Sequence, residues 1–185
     1  MIIATKKDGK VTVGVSVRDT YVDMTEKDLT LIENQPFFKV KGCDDCYVYL
    51  EDSTLSMDIF RYNDEIFKDI TDGNSIITNV IPKMKKLLNK YLRTIDSKEW
   101  DSQMLIVKGD KAYVIGHYFT LCEVDDYACL GFEGYLRGGL TESKDLSPTE
   151  SILFSVRSLC KMRGANFFPL IICDGSTTNR KIYYK

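Results

Sequence analysis

The first nineteen residues, Met1-Ile-Ile-Ala-Thr-Lys-Lys-Asp-Gly-Lys-Val-Thr-Val-Gly-Val-Ser-Val-Arg-Asp19, constrain the fold more than any other stretch. Apolar and β-branched residues flank Asp8-Gly9, and an Asp-Gly pair supplies the positive φ angles that a two-residue hairpin loop needs. The pattern reads as strand, turn, strand. Chain ends fray unless something ties them down, and a terminal strand does so. Any group that works at this terminus works from a fixed position.

The rest of the chain supplies partners for that hairpin. Leu29-Thr-Leu-Ile32 suits a short strand. After Pro36, two aromatic, β-branched runs, Phe37-Phe-Lys-Val-Lys41 and Cys46-Tyr-Val-Tyr-Leu50, flank Gly42-Cys-Asp-Asp45 and read as a second hairpin. Asp52 or Ser53 can cap a helix whose apolar face is Leu55, Ile59, Tyr62 and Ile66. A further helical period runs from Ile77 to Leu92, with a kink or a start expected near Pro82. Lys83, Lys86, Lys90 and Arg93 form its solvated face. Met104-Leu-Ile-Val107 and Ala112-Tyr-Val-Ile115 flank Lys108-Gly-Asp-Lys111 as a third hairpin. Strand pattern continues from Tyr118 to Val124 and through Tyr127-Ala-Cys-Leu-Gly131. Gly131, Gly134, Gly138 and Gly139 read as a close-packing segment that enters a short helix. Ser147-Pro148-Thr149-Glu150 is a capping box with proline at the first helical position. Ile152, Leu153, Val156, Leu159 and Cys160 continue that helix, and Gly164 ends it. Two apolar runs close the chain. Strands grouped with strands, and helices in pairs, give the α+β class rather than alternating βαβ. No linker, repeat or low-complexity stretch divides residues 1–185, so a single domain is expected.

A net charge of −2 and a pI near 5.5 give no basic field, which argues against nucleic acid as a partner. No apolar run approaches the ~20 residues that span a bilayer, so no membrane partner is expected. Lys6, Lys7 and Asp8 interrupt any signal-peptide core, and a cytoplasmic location follows as the expectation. The six cysteines then read as reduced thiols, with Cys129, Cys160 and Cys173 packed as small hydrophobes.

Several residues carry chemistry in principle. Cys43-Asp-Asp-Cys46 is a lone CxxC in a hairpin turn, half of a zinc knuckle or a thiol pair. A zinc site needs about four ligands. No second CxxC exists and His117 is the sole histidine, so an ordinary turn is the simpler reading. His117 lacks a Ser or Cys partner for a triad. Asp19 with Glu33, and Glu51 with Asp52, are not set apart from surface charge by their spacing. The glycine cluster lacks the Lys-Ser/Thr of a P-loop. No cofactor is called for.

Taken in order, these segments resemble the proteasome β-subunit and HslV family of N-terminal-nucleophile hydrolases. Ile2-Ile-Ala-Thr-Lys-Lys-Asp-Gly9 is similar to the family's first strand and turn. Phe38-Lys-Val40 and Cys46-Tyr-Val-Tyr-Leu-Glu-Asp-Ser-Thr54 are similar to its central hairpin and first helix. Met104-Leu-Ile-Val-Lys-Gly109, residues 127–139 and the helix after Ser147-Pro-Thr-Glu150 are similar to its later segments. The resemblance implies a four-layer αββα sandwich and subunits that assemble into rings or stacked dimers. It also implies a site in which an N-terminal Thr, Ser or Cys attacks a carbonyl with its own α-amine as base. A lysine and a glycine-rich oxyanion hole assist.

This sequence departs from that site at each position that can be matched. Aligning Asp8-Gly9 places Met1 just inside the nucleophile's position, and a thioether has no proton to lose. Thr5 would serve only after cleavage before it, which leaves a short strand. The lysine position holds Gln35-Pro36, and Lys39 is the nearest lysine. The cleft border matches Tyr49-Leu-Glu-Asp52, with Glu51 bulky and acidic. The serine after Gly131 is replaced by Phe132 or Glu133, and the aspartate after the long helix by Gly164. The resemblance therefore implies a cleft lined by Met1, Pro36, Glu51, Gly131, Phe132 and Glu133. It implies a homo-oligomeric scaffold without peptidase residues, with other proteins as further candidate partners. Two alternatives stand beside it. One is an active threonine-type peptidase using Thr5 and Lys39. The other is a thiol- or metal-linked binding module built on Cys43 and Cys46.

Overall fold

A computed structural model describes residues 1–16, 37–51, 54–91, 102–174 and 180–184. In chain order the strands are β1 (Ile2–Lys7), β2 (Lys10–Ser16), β3 (Phe37–Lys39), β4 (Cys46–Leu50), β5 (Met104–Lys108), β6 (Lys111–Ile115), β7 (Leu121–Glu123), β8 (Tyr127–Leu130), β9 (Leu170–Asp174) and β10 (Arg180–Tyr183). The main helices are α1 (Thr54–Tyr62), α2 (Ile81–Tyr91), α3 (Glu133–Glu142) and α4 (Pro148–Arg163). The described residues form two compact units. One is drawn from the ends of the chain (1–16, 126–174 and 180–184), the other from its middle (37–51, 54–91 and 102–125). The expected strand at 29–32 and the carboxylates Asp19 and Glu33 lie outside the described residues, as do Pro36 and Asp52.

In the terminal unit, β1 and β2 pair antiparallel from Lys7 opposite Lys10 to Ile2 opposite Val15. Asp8 and Gly9 both have positive φ, 51° and 70°, as the Asp-Gly signal requires. The hairpin is the centre of a five-stranded antiparallel sheet ordered β10-β9-β2-β1-β8. Helices α3 and α4 cover one face. Met1 and Ile3 join Leu136, Leu140, Ile152 and Val156 there in one apolar core. Ile2, Ala4, Val13 and Val15, which alternate onto the other face, are buried as well. That is why β1 begins with a continuous apolar run instead of alternating with polar residues.

Two glycines set how closely the layers of this unit approach. A Cβ at Gly14 would sit 2.6 Å from Ile152 Cγ2, so β2 lies tight against α4. A Cβ at Gly139 would sit 2.8 Å from Ser155 Cα, so α3 and α4 touch backbone to backbone. The α4 terminus matches its sequence signal: Ser147 Oγ accepts from Glu150 N–H, and the Glu150 carboxylate accepts from Ser147 N–H. Gly164 ends α4 at φ 60°.

The middle unit is a second antiparallel sheet, β3-β4-β5-β6-β7. Its core joins Val48, Leu50, Met104 and Ile106 to Phe60, Phe67, Met84 and Leu88. The expected break near Pro82 takes a definite form. A π-helical turn, Ile76–Val80, precedes α2, and Ile81 N–H donates to Ile76 O. Pro82 lacks the N–H that a regular helix would offer to residue 78, so the widened turn falls where the ladder is already interrupted. The strand expected from Tyr118 is shorter than its pattern. Residues His117–Phe119 form a tight turn with Tyr118 and Phe119 at positive φ, and the strand starts at Leu121. Gly116 N–H donates to Thr120 O at 2.8 Å and closes that loop.

Candidate functional site

The front end of β1 is the position the sequence singles out. Met1 is 8% exposed and packs in the same apolar cluster as Phe167 and Phe168. Its carbonyl accepts from Ser16 N–H at 3.1 Å. Ser16 Oγ in turn donates to Phe167 O at 2.8 Å, so this hydroxyl is committed to holding the loop before β9. Gly131 and Phe132 both have positive φ, 76° and 56°, which turns the chain sharply from β8 into α3. Phe132 reaches Phe167 edge to face, with ring centroids 4.9 Å apart. The Arg163 guanidinium lies over Phe132 at 5.7 Å and over Tyr135 at 5.4 Å. Glu133 is exposed in the first turn of α3, where a carboxylate complements the helix dipole. Cys129 on β8 is a nearby sulfur, and burial, with Glu133 adding to it, pushes its thiol up to about 12. It stays protonated at neutral pH. This end of the strand therefore carries apolar and aromatic groups, a spent hydroxyl and an inert thiol.

Thr5 occupies a different setting. It pairs with Thr12 on one side and Tyr127 on the other, well inside the sheet. Its Oγ1 is buried without a hydrogen-bond partner among the described residues.

The other predicted residues belong to the middle unit. Lys39 on β3 is exposed, and its ammonium is 2.8 Å from Asp44 Oδ1 in its own hairpin. That hydrogen bond raises the lysine and lowers the aspartate from their ordinary values. Glu51 is half-buried just after β4, its N–H donating to Gln103 O at 3.1 Å.

Cys43 and Cys46 meet in the β3–β4 turn, but as unequal partners. Cys46 is fully buried, and burial first, with Cys43 beside it, pushes its thiol up to about 12. Cys43 is half-buried, with Sγ 3.1 Å from Lys108 Nζ and 3.3 Å from Asp45 Oδ1. Lys108 also pairs with Asp45 directly, and that contact holds the Asp45 carboxyl below its usual range. Asp45 O accepts from Gly109 N–H at 2.9 Å, so the turns of two hairpins are laced together. Among the described residues no group of three or more Cys, His, Asp and Glu side chains converges as metal ligands would. His117 Nε2 lies 3.3 Å from Gln103 Nε2.

Comparison with solved structures gives this geometry a context. The protein is similar to Thiobacillus denitrificans BPH in complex with epoxomicin, at 13% identity and a TM-score of 0.65, covering 95% of this chain and 99% of that one. It is similar to Anbu, the ancestral beta-subunit, from Yersinia bercovieri, at 12% identity and 0.64, covering 100% and 86%. It is also similar to HslV from Trypanosoma brucei, at 10% identity and 0.62, covering 93% and 97%. The chain has the HslV/proteasome-like fold. No family model and no curated protein matches the sequence. The α+β class of N-terminal-nucleophile type, expected from the order of elements, is thus the class of the fold.

Within this HslV/proteasome-like fold, sequence reasoning named Met1, Gly131 and Phe132 at the front of β1, and the terminal unit brings all three to the end of its sheet beside α3. It missed Ser16, Phe167 and Arg163, which hold that end together. Phe167 was visible only as one member of an apolar run. It also missed Lys108 and Asp45 beside Cys43. The acidic CxxC turn carried half of that signal, and the lysine lies 65 positions away from Cys43.

Proposed function

We propose that this protein is an HslV/proteasome-like subunit that works as a self-assembling or binding scaffold, without threonine-peptidase chemistry. The reading takes residues 1–185 as one proteasome-subunit-like domain of a cytoplasmic homo-oligomer. The carrying observation is the front of β1, where the Met1 thioether, which has no proton to lose, is 8% exposed in one apolar cluster with Phe167 and Phe168. The spent hydroxyl of Ser16 and the inert thiol of Cys129 leave that end without a nucleophile–base pair among the described residues. Assembly is supported by likeness to a protein described as a beta-subunit, since a subunit is part of a larger body.

The test is intact mass before and after incubation with epoxomicin, the compound that the BPH structure contains, together with sedimentation of the purified protein. The expected outcome is an unmodified chain without an adduct, sedimenting as an oligomer. Loss of residues 1–4 with an adduct on Thr5 would establish the peptidase reading instead. A monomer at high concentration would remove the scaffold's self-assembly. A thiol-based reading has one observation of its own, the contact of Cys43 with Lys108, and labelling of Cys43 under native conditions addresses it.

A further inference from the structure

The turn between β3 and β4 brings two thiols, an ammonium and a carboxylate together. Val40 N–H donates to Cys46 O at 3.0 Å and Cys43 N–H donates to Val40 O at 3.2 Å, which fixes the backbone at both cysteines. Cys46 belongs to the apolar core of the middle unit, and half-buried Cys43 packs against that core. The Cys43 and Cys46 side chains are in hydrogen-bond contact. Lys108 is the direct β5 partner of Cys46, and its Nζ lies 3.1 Å from Cys43 Sγ. Cys43 Sγ in turn donates to Asp45 Oδ1 at 3.3 Å.

This arrangement gives the two sulfurs different work. Cys43 keeps part of its surface in solvent, whereas Cys46 is 0% exposed, so a dissolved reagent reaches Cys46 only by way of Cys43. Burial works against the Lys108 charge, but its hydrogen bonds to Asp45 and Cys43 raise it above its ordinary value, so it is an ammonium at neutral pH. A cation against a sulfur stabilises the negative charge that the sulfur acquires as it attacks. Cys46, pushed up to about 12 by burial first and by Cys43 second, stays a thiol until Cys43 has reacted.

We propose that Cys43 and Cys46 form a reversible disulfide by exchange with small-molecule disulfides, with Cys43 as the attacking sulfur, Lys108 facing it and Cys46 as the resolving thiol. This deepens the thiol-based reading and stands apart from the scaffold reading. In the first step Cys43 Sγ bonds to one sulfur of the reagent, the reagent's S–S bond breaks, and its other half leaves with the Cys43 proton as a thiol. In the second, Cys46 Sγ bonds to Cys43 Sγ and the remaining half leaves with the Cys46 proton. Two electrons pass from the protein dithiol to the reagent, which ends as two thiols. The test incubates the reduced full chain with oxidised glutathione, then unfolds it in N-ethylmaleimide and maps its peptides by mass. The peptide holding Cys43 and Cys46 is expected lighter by two hydrogens, free of maleimide and restored by dithiothreitol. Exposed Cys122, its sulfur 3.6 Å from Glu123 O, is expected to keep any glutathione it takes up. Cys46→Ser is expected to hold glutathione on Cys43, and Cys43→Ser to leave Cys46 a free thiol. Lys108→Met keeps the length of the side chain without its charge and is expected to slow loss of the Cys43 thiol about tenfold. An unreacted Cys43, a lasting glutathione adduct on Cys43 of the unaltered chain, consumption of Cys46 in Cys43→Ser, or an undiminished rate in a folded Lys108→Met would each overturn the proposal.

Discussion

Replacing Gly139 and its neighbour Gly138 by alanine tests the tightest approach of α3 to α4 with one chemical change at two adjacent sites. Both lie in α3, and in a helix interior alanine is favoured over glycine by about 1 kcal/mol. At Gly138, which is exposed and has nothing within 4 Å of a new Cβ, only that gain applies. At Gly139 the new Cβ falls 2.8 Å from Ser155 Cα, 2.9 Å from its Oγ and 3.0 Å from its Cβ. A hydroxyl can rotate away, but a backbone carbon moves only if α4 moves, and overpacking of this kind costs about 1–3 kcal/mol. Because the nearest atom is backbone, the upper half of that range applies, and Gly139→Ala comes out destabilised by about 1–2 kcal/mol net. In a domain of this size 1 kcal/mol corresponds to about 2–4 °C. Gly138→Ala should therefore melt a few degrees higher and Gly139→Ala a few degrees lower. Urea midpoints at unchanged m value provide the free energies. Adding Ser155→Ala relieves the clash with the hydroxyl but leaves the clash with the α4 backbone, so it should rescue only part of the loss. Equal stabilisation by both alanines would refute the close crossing of α3 and α4.

Two further outcomes follow from the local chemistry. Ser147→Ala removes the acceptor of Glu150 N–H, and at 3.4 Å that bond is long, so a loss of about 0.5–1 kcal/mol is expected in the urea midpoint. The Ser147 side chain and then its backbone N–H hold the Glu150 carboxyl below its ordinary value. The charged half of the cap therefore contributes above the unfolded-state pKa and is lost as pH falls through the folded one. Carboxyl NMR of Glu150 should show a depressed titration that moves part of the way back to normal in Ser147→Ala, where the backbone N–H remains. Among the thiols, exposed Cys122 should react first with N-ethylmaleimide at neutral pH. Cys46 and Cys129, both pushed to about 12 by burial, should stay unlabelled until the protein unfolds. Peptide mass mapping gives the order, and early labelling of Cys46 would refute its burial.

What was legible in the sequence was local. Asp8-Gly9, the Ser147–Glu150 box and Gly164 each carry a backbone requirement inside a few residues, and each appears where its signal lies. The third hairpin, β5 and β6 around Gly109, was equally readable, because Gly109 takes the positive φ of its turn. The strand expected from Tyr118 misled for the complementary reason. Its aromatic residues have the right composition, yet the Gly116–Thr120 bond closes a turn that composition does not record. The site was legible only in outline. Phe132 meeting Phe167, Ser16 bonding Phe167 O and Lys108 meeting Cys43 all join distant parts of the chain. No period or motif encodes such pairs, because what fixes them is the sheet order and not the neighbouring residues.

The first strand shows how fold and chemistry bear on each other. A peptidase built on Thr5 would have to shed Met1, Ile2, Ile3 and Ala4, which are 8%, 1%, 0% and 0% exposed. Burying one large apolar side chain contributes roughly 1.5–3 kcal/mol. Three such side chains amount to about 5–9 kcal/mol, comparable with the roughly 5–15 kcal/mol that holds a typical domain together. The same cut would remove the ladder pairs of Ile2, Ile3 and Ala4 with β2 and with β8. Exposing Thr5 as a chain end thus opposes the packing that seats it in the sheet. Left in place, Thr5 keeps its ladder position between Thr12 on β2 and Tyr127 on β8. The physical asymmetry favours a strand that stays whole in the sheet over a strand that is cut to become a nucleophile.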